Sequence, residues 1–80
     1  MVEVEFYGLA RRRAGVAGTA LTAGTVRAAL AEVAQALPGL NDLTGKHFLV
    51  SMNGERFVAD VEESIPNRSR LLIFSADAGG

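Results

Sequence analysis

Apolar residues recur at a helical period in one stretch of this chain and at a strand period on either side of it. Val26, Leu30, Val33 and Leu37 stand at i, i+4, i+7 and i+11 with alanines between them, while Arg27, Glu32 and Gln35 take the other side. That spacing returns to one face of an α-helix and predicts a single amphipathic helix. Thr25 is placed to accept one of the helix's unpaired backbone N–H groups through its hydroxyl, and Pro38-Gly39 ends the pattern. Ahead of the helix, Val2, Val4 and Phe6 alternate with Glu3, Glu5 and Tyr7; behind it, Phe48, Val50 and Met52 alternate again. Alternation describes a strand with one face turned inward.

The remaining segments fill in around these. Gly8 to Gly18 carries three glycines and Arg11-Arg12-Arg13, and reads as a wide turn. Residues 18 to 22 form a short second strand, making a hairpin with the first. Asn53-Gly54 supplies the two positive φ angles of a type I′ turn, so a strand through Phe57-Val58 pairs back on residues 47 to 52. Ile65 is a buried candidate in a polar stretch, and Leu71-Leu72-Ile73-Phe74 makes a last strand. The first and last strands are strongly apolar, which suits adjacent central positions. One helix covering one face of a mixed sheet gives an α+β domain of β-grasp, or ubiquitin-like, arrangement over residues 1–75, followed by a flexible tail at 76–80.

Composition sets limits on function. Eighty residues make one domain, which at this size buries only about 60% of its unfolded surface. The absence of cysteine excludes disulfides, a thiol nucleophile and thiolate metal sites. A net charge of −1 and a pI near 5.7 give no general attraction to phosphate backbones, so no nucleic-acid partner is expected. The alternating acidic start does not resemble a secretory signal, and no apolar run suits a membrane span, so a cytoplasmic protein is expected. His47, the only histidine, lacks metal-ligand spacing, and Asp60, Glu62 and Glu63 match no calcium loop; neither is read as a metal site.

The end of the sequence carries the chemistry. Gly79-Gly80 has no Cβ, so it can thread a narrow channel, and a carboxylate on Gly80 is sterically bare. A docking face accompanies it. If Leu71 and Ile73 point into the core, the pleat sends Leu72 and Phe74 to the opposite face, and Leu49 joins them there.

In order and spacing the chain resembles the β-grasp sulfur carriers that include the small subunit of molybdopterin synthase and the thiamine-biosynthesis sulfur carrier. The resemblance rests on Phe6-Tyr7-Gly8-Leu9-Ala10-Arg11 followed by Gly15, on Thr25-Val26, on Asn53-Gly54-Glu55, and on Leu71-Leu72-Ile73-Phe74 ahead of Gly79-Gly80. It implies a carrier with no catalytic residue and no bound cofactor. The Gly80 carboxylate would be adenylated by an E1-like enzyme that uses ATP and Mg, then converted to a thiocarboxylate with sulfur from a sulfurtransferase or cysteine desulfurase. The sulfur would pass to an acceptor synthase subunit, with molybdopterin favoured over thiazole. Ala78 and Gly79 would thread the partner's site, and Phe74, Leu72, Leu49 and Arg11 would dock it. Two alternatives stay open. One is a ubiquitin-like modifier joined through Gly80 to lysines, for which Lys46 is the single lysine on this chain; the other is a β-grasp binding module with an unreactive tail.

Overall fold

The computed structural model describes residues 1–41, 43 and 47–75. Its elements run β1 (Val2–Phe6), α1 (Leu9–Ala14), β2 (Gly18–Leu21), α2 (Val26–Ala36), a 3-10 turn (Pro38–Leu40), β3 (Phe48–Met52), β4 (Arg56–Phe57) and β5 (Arg70–Ser75). The strands form one mixed sheet in the order β2-β1-β5-β3-β4. β5 is parallel to β1, with Val4 opposite Leu71, and antiparallel to β3, with Val50 opposite Ile73. The first and last strands are thus neighbours, with β5 at the centre of the sheet.

The inner face of the sheet and α2 enclose the core. Val2, Val4 and Phe6 of β1, Phe48, Val50 and Met52 of β3, and Leu71 and Ile73 of β5 pack with Val26, Ala29, Leu30 and Val33 of α2. Each large side chain buried there contributes about 1.5–3 kcal/mol. The N-terminus of α2 is fully capped. The Thr25 hydroxyl accepts from Ala28 N–H at 3.2 Å, while Val26 and Arg27 donate to the Glu63 and Val61 carbonyls at 3.0 and 2.8 Å. These bonds tie the 60–65 segment to the helix and carry Ile65 into the core. On the surface Arg27 pairs with Glu62 along the same tie, while Arg56 of β4 pairs with Glu63 and joins the segment to the sheet. The acidic run that contains Asp60 is therefore a clasp, with Asp60 Oδ1 accepting from Glu62 N–H at 2.9 Å.

One segment departs from expectation. In place of a wide turn between Gly8 and Gly18, the chain forms the short helix α1, bounded by Gly8 at φ 58 and Gly15 at φ 76. Only Ala10 of α1 is buried, so the helix shows no apolar stripe that a periodicity would reveal. Arg13 leaves α1 to lie over the Phe48 ring, 5.6 Å from its centroid. The Asn53-Gly54 turn forms as expected, with φ 59 and 73 and Glu55 N–H donating to Met52 O at 3.0 Å. Strand β4 is short, and Val58 N–H extends its pairing to Val50 O at 2.8 Å. Ala78, Gly79 and Gly80, with the rest of the 76–80 tail, and Lys46 lie outside the described residues.

Candidate docking face

The strand register decides which side chains share the outer face. Leu72 of β5 stands opposite Glu5 and Ser51, and Ser51 opposite Phe57, which makes one row across the sheet. The next row holds Leu49 opposite Phe74. Tyr7 N–H donates to Ile73 O at 3.0 Å, continuing the parallel pairing past Phe6 and setting Tyr7 beside Phe74. The rings of Tyr7 and Phe74 stack with centroids 5.0 Å apart and planes 14° apart. Phe57 meets Phe74 edge-on at 6.4 Å and 76°. Both are preferred aromatic geometries.

Leu72 and Phe74 are half-buried, while Leu49 and Phe57 are exposed at 42% and 60%. A depression of about 280 Å³ lies among Phe57, Leu72 and Phe74, walled by Glu55 and Arg56. The structure thus brings together the three apolar residues expected from the pleat, and adds Tyr7 and Phe57. Tyr7 extends the outward series Glu3, Glu5, so its place was available from alternation alone. Phe57 reaches the face only through the cross-strand register of a two-residue strand. Arg11 is exposed on α1 and lines a groove of about 490 Å³ that Tyr7 also lines.

A polar network holds one side of the aromatic stack. Tyr7 Oη donates to Glu5 Oε1 at 2.5 Å, and Arg70 donates to Glu5 Oε2 at 3.2 Å. The Tyr7 hydrogen bond, with help from the Arg70 guanidinium, holds the Glu5 carboxyl below the usual carboxylate range. The same bond and the adjacent carboxylate raise the Tyr7 phenol above its ordinary value. The Arg56 hydrogen bond likewise holds Glu63 low.

His47 is exposed in the turn ahead of β3. Among the described residues no group of three or more His, Cys, Asp or Glu is placed to hold a metal ion, and no helix there is long and apolar enough to cross a membrane.

No protein-family model matches the sequence, and no curated protein matches it. Solved structures do. Small archaeal modifier protein 1 from Haloferax volcanii superposes with a TM-score of 0.81 at 23% identity, covering 99% of this chain and 98% of that one. The small archaeal modifier protein 1 from Methanosarcina acetivorans gives 0.82 at 18% identity, covering 99% and 95%. A protein described as molybdopterin converting factor, subunit 1, from Pyrococcus furiosus gives 0.75 at 20%, covering 92% and 94%. Over nearly its whole length the chain therefore has the β-grasp fold of small archaeal modifier proteins and of a molybdopterin converting factor subunit.

Proposed function

We propose that this chain is a ubiquitin-like sulfur carrier, a protein cosubstrate whose reactive group is the carboxylate of Gly80. That carboxylate attacks the α-phosphorus of ATP on an E1-like adenylyltransferase, releasing pyrophosphate and leaving an acyl-adenylate. A persulfide on a sulfurtransferase or cysteine desulfurase attacks the carbonyl through its outer sulfur and displaces AMP. A second thiol then reduces the resulting acyl disulfide, leaving a disulfide between the two thiols and the thiocarboxylate on Gly80. The thiocarboxylate then donates its sulfur to an acceptor on a synthase subunit, with molybdopterin precursor favoured over thiazole.

One observation carries the reading. The strand that supplies Leu72 and Phe74 to the aromatic face is β5, and Gly79-Gly80 follow its last residue, Ser75, in sequence. A partner seated on that face would receive the following five residues, which fully extended reach about 17 Å. Burying an exposed aromatic or leucine in the partner contributes about 1.5–3 kcal/mol each before association costs, enough to position the tail. ATP and Mg belong to the activating partner in this scheme, and ordinary soluble folding in the cytoplasm fits it.

The test is intact mass after incubation with ATP, Mg, the cognate activating enzyme and a sulfur source. One oxygen should be exchanged for one sulfur, the change should map to Gly80, and deletion of Gly80 should abolish it; an unchanged mass with an active partner overturns the reading. The likeness to small archaeal modifier proteins over 99% of the chain favours a second use, conjugation of Gly80 to protein lysines. Denaturing immunoblots separate the two, because a carrier alone gives no covalent ladder.

A further inference from the structure

The open edge of the sheet at β2 (Gly18–Leu21) is four residues long and carries no charged residue and no proline, two of the features that keep such an edge from pairing. Its backbone groups face alternately inward and outward. Phe6 N–H donates to Ala17 O at 2.9 Å, and Val4 and Val2 stand opposite Thr19 and Leu21. In an antiparallel ladder the bonded pairs alternate, so Thr19 and Leu21 turn their N–H and C=O toward β1, while Gly18 and Ala20 turn theirs away from the sheet.

The charges beside this edge are polar end to end. Glu3 stands opposite Ala20, and Arg11 lies at the other end, beside Ala17 and Gly18. Between them runs the groove of about 490 Å³, bare because Gly18 and Ala20 are small. Neither Glu3 nor Arg11 has an ion-pair partner among the described residues.

A strip with an acid at one end and a base at the other is self-complementary under a two-fold axis. We propose that β2 is a self-pairing edge: two copies join antiparallel through β2 into one continuous sheet, with Arg11 of each copy set against Glu3 of the other. An axis through Thr19 puts Gly18 of one copy opposite Ala20 of the other, and each such pair exchanges both of its N–H···O bonds. The long arginine side chain crosses the lane over Gly18 and Ala20 to reach the carboxylate. β4, with Phe57, is at the opposite edge of the sheet. The pairing uses no residue of the tail, so its failure would leave the carrier reading standing.

Sedimentation velocity of the full chain over a range of concentrations tests this. The average mass should rise from the 8.4 kDa monomer toward twice that value as concentration increases, and fall again with added salt. Glu3→Arg and Arg11→Glu should each weaken the dimer about tenfold, because each turns two symmetry-related attractions into repulsions. The double charge swap should restore it to within about threefold of the parent. Ala20→Pro should abolish it, since it removes an outward N–H and leaves the ladder to β1 in place. A monomer at every concentration overturns the proposal. So does a dimer that survives Ala20→Pro or is indifferent to the charge swap.

Discussion

Tyr7 and Phe74 stack face to face although they are far apart in sequence, and the stack spans the parallel junction between the first strand and the last. The contact depends on register: Phe6 lies opposite Ile73 in the core, so the next residue of each strand meets on the other side of the sheet. The apolar face is therefore ordered before any partner arrives. Phe57 braces Phe74 from the far side, and the Glu5 carboxylate fixes the Tyr7 hydroxyl.

If this face seats the partner that activates Gly80, Phe74→Ala should weaken binding about thirtyfold or more, as truncation of a central aromatic anchor does. The fold should survive, because Phe74 is only half-buried. Tyr7→Ala should weaken binding less, and the two together less than additively, with a coupling of about 0.5–1.5 kcal/mol for the stacked pair. Titration calorimetry of the four variants against the activating enzyme supplies the cycle; full additivity would remove the stack from the docking argument.

The chain has one tyrosine and no tryptophan, so ultraviolet titration reports Tyr7 alone. Its midpoint should lie above the ordinary value of 10.0, because ionisation places a second negative charge beside Glu5 and breaks their hydrogen bond. Glu5→Gln should lower the midpoint. The linked stability follows in sign: a phenol raised in the folded state stabilises fully below its unfolded value, and that contribution is lost as pH rises through the folded value. Glu5 and Glu63 act at the other end. Both are held below 4.5 in the folded chain, so their contribution is present above the unfolded value and lost as pH falls through the depressed ones. Urea titrations across the acid and alkaline ranges should show both declines, and Glu5→Gln should reduce both.

The parts of the fold that periodicity expresses were legible beforehand. The inward series Val2, Val4, Phe6 is buried as its spacing predicts, and so are Val26, Leu30 and Val33 of the helical series, while Leu37 stands one residue past the helix end and is half-buried; Thr25 caps the helix as its position suggests. Helix α1 was illegible because one buried alanine makes no pattern, and its glycine-bounded ends also suit a turn. The docking face was half legible: Leu49, Leu72 and Phe74 follow from the pleat, whereas Phe57 joins them only through strand register, a relation between segments that no local spacing encodes.

Asn53 clasps β5 through both its backbone and its side chain. Its N–H donates to Arg70 O at 2.7 Å, and its Oδ1 accepts from Arg70 N–H at 2.8 Å. With φ at 59, Asn53 also occupies a left-handed conformation that few residues other than glycine accept. Asn53→Ala should cost about 2 kcal/mol, combining a lost hydrogen bond with backbone strain. Asn53→Gly relieves the strain and loses only the side-chain bond, so it should cost about 1 kcal/mol. Chemical denaturation orders the two; a glycine variant as weak as the alanine variant would show that the turn conformation contributes nothing.

Two glycines give opposite expectations for the same substitution. A Cβ on Gly18 would stand 2.6 Å from the Val4 carbonyl oxygen, a backbone atom that cannot move without breaking the β1–β2 pairing. Gly18→Ala should therefore destabilise by about 2 kcal/mol or more, within the range of overpacking. Gly24 has nothing within 4 Å of the corresponding position, and its φ lies outside the left-handed region. Gly24→Ala should be neutral or stabilising by up to about 1 kcal/mol, because it reduces the freedom of the unfolded chain. Thermal denaturation of the pair distinguishes steric exclusion at the β2 edge from a general intolerance of alanine, since the latter would lower both midpoints alike.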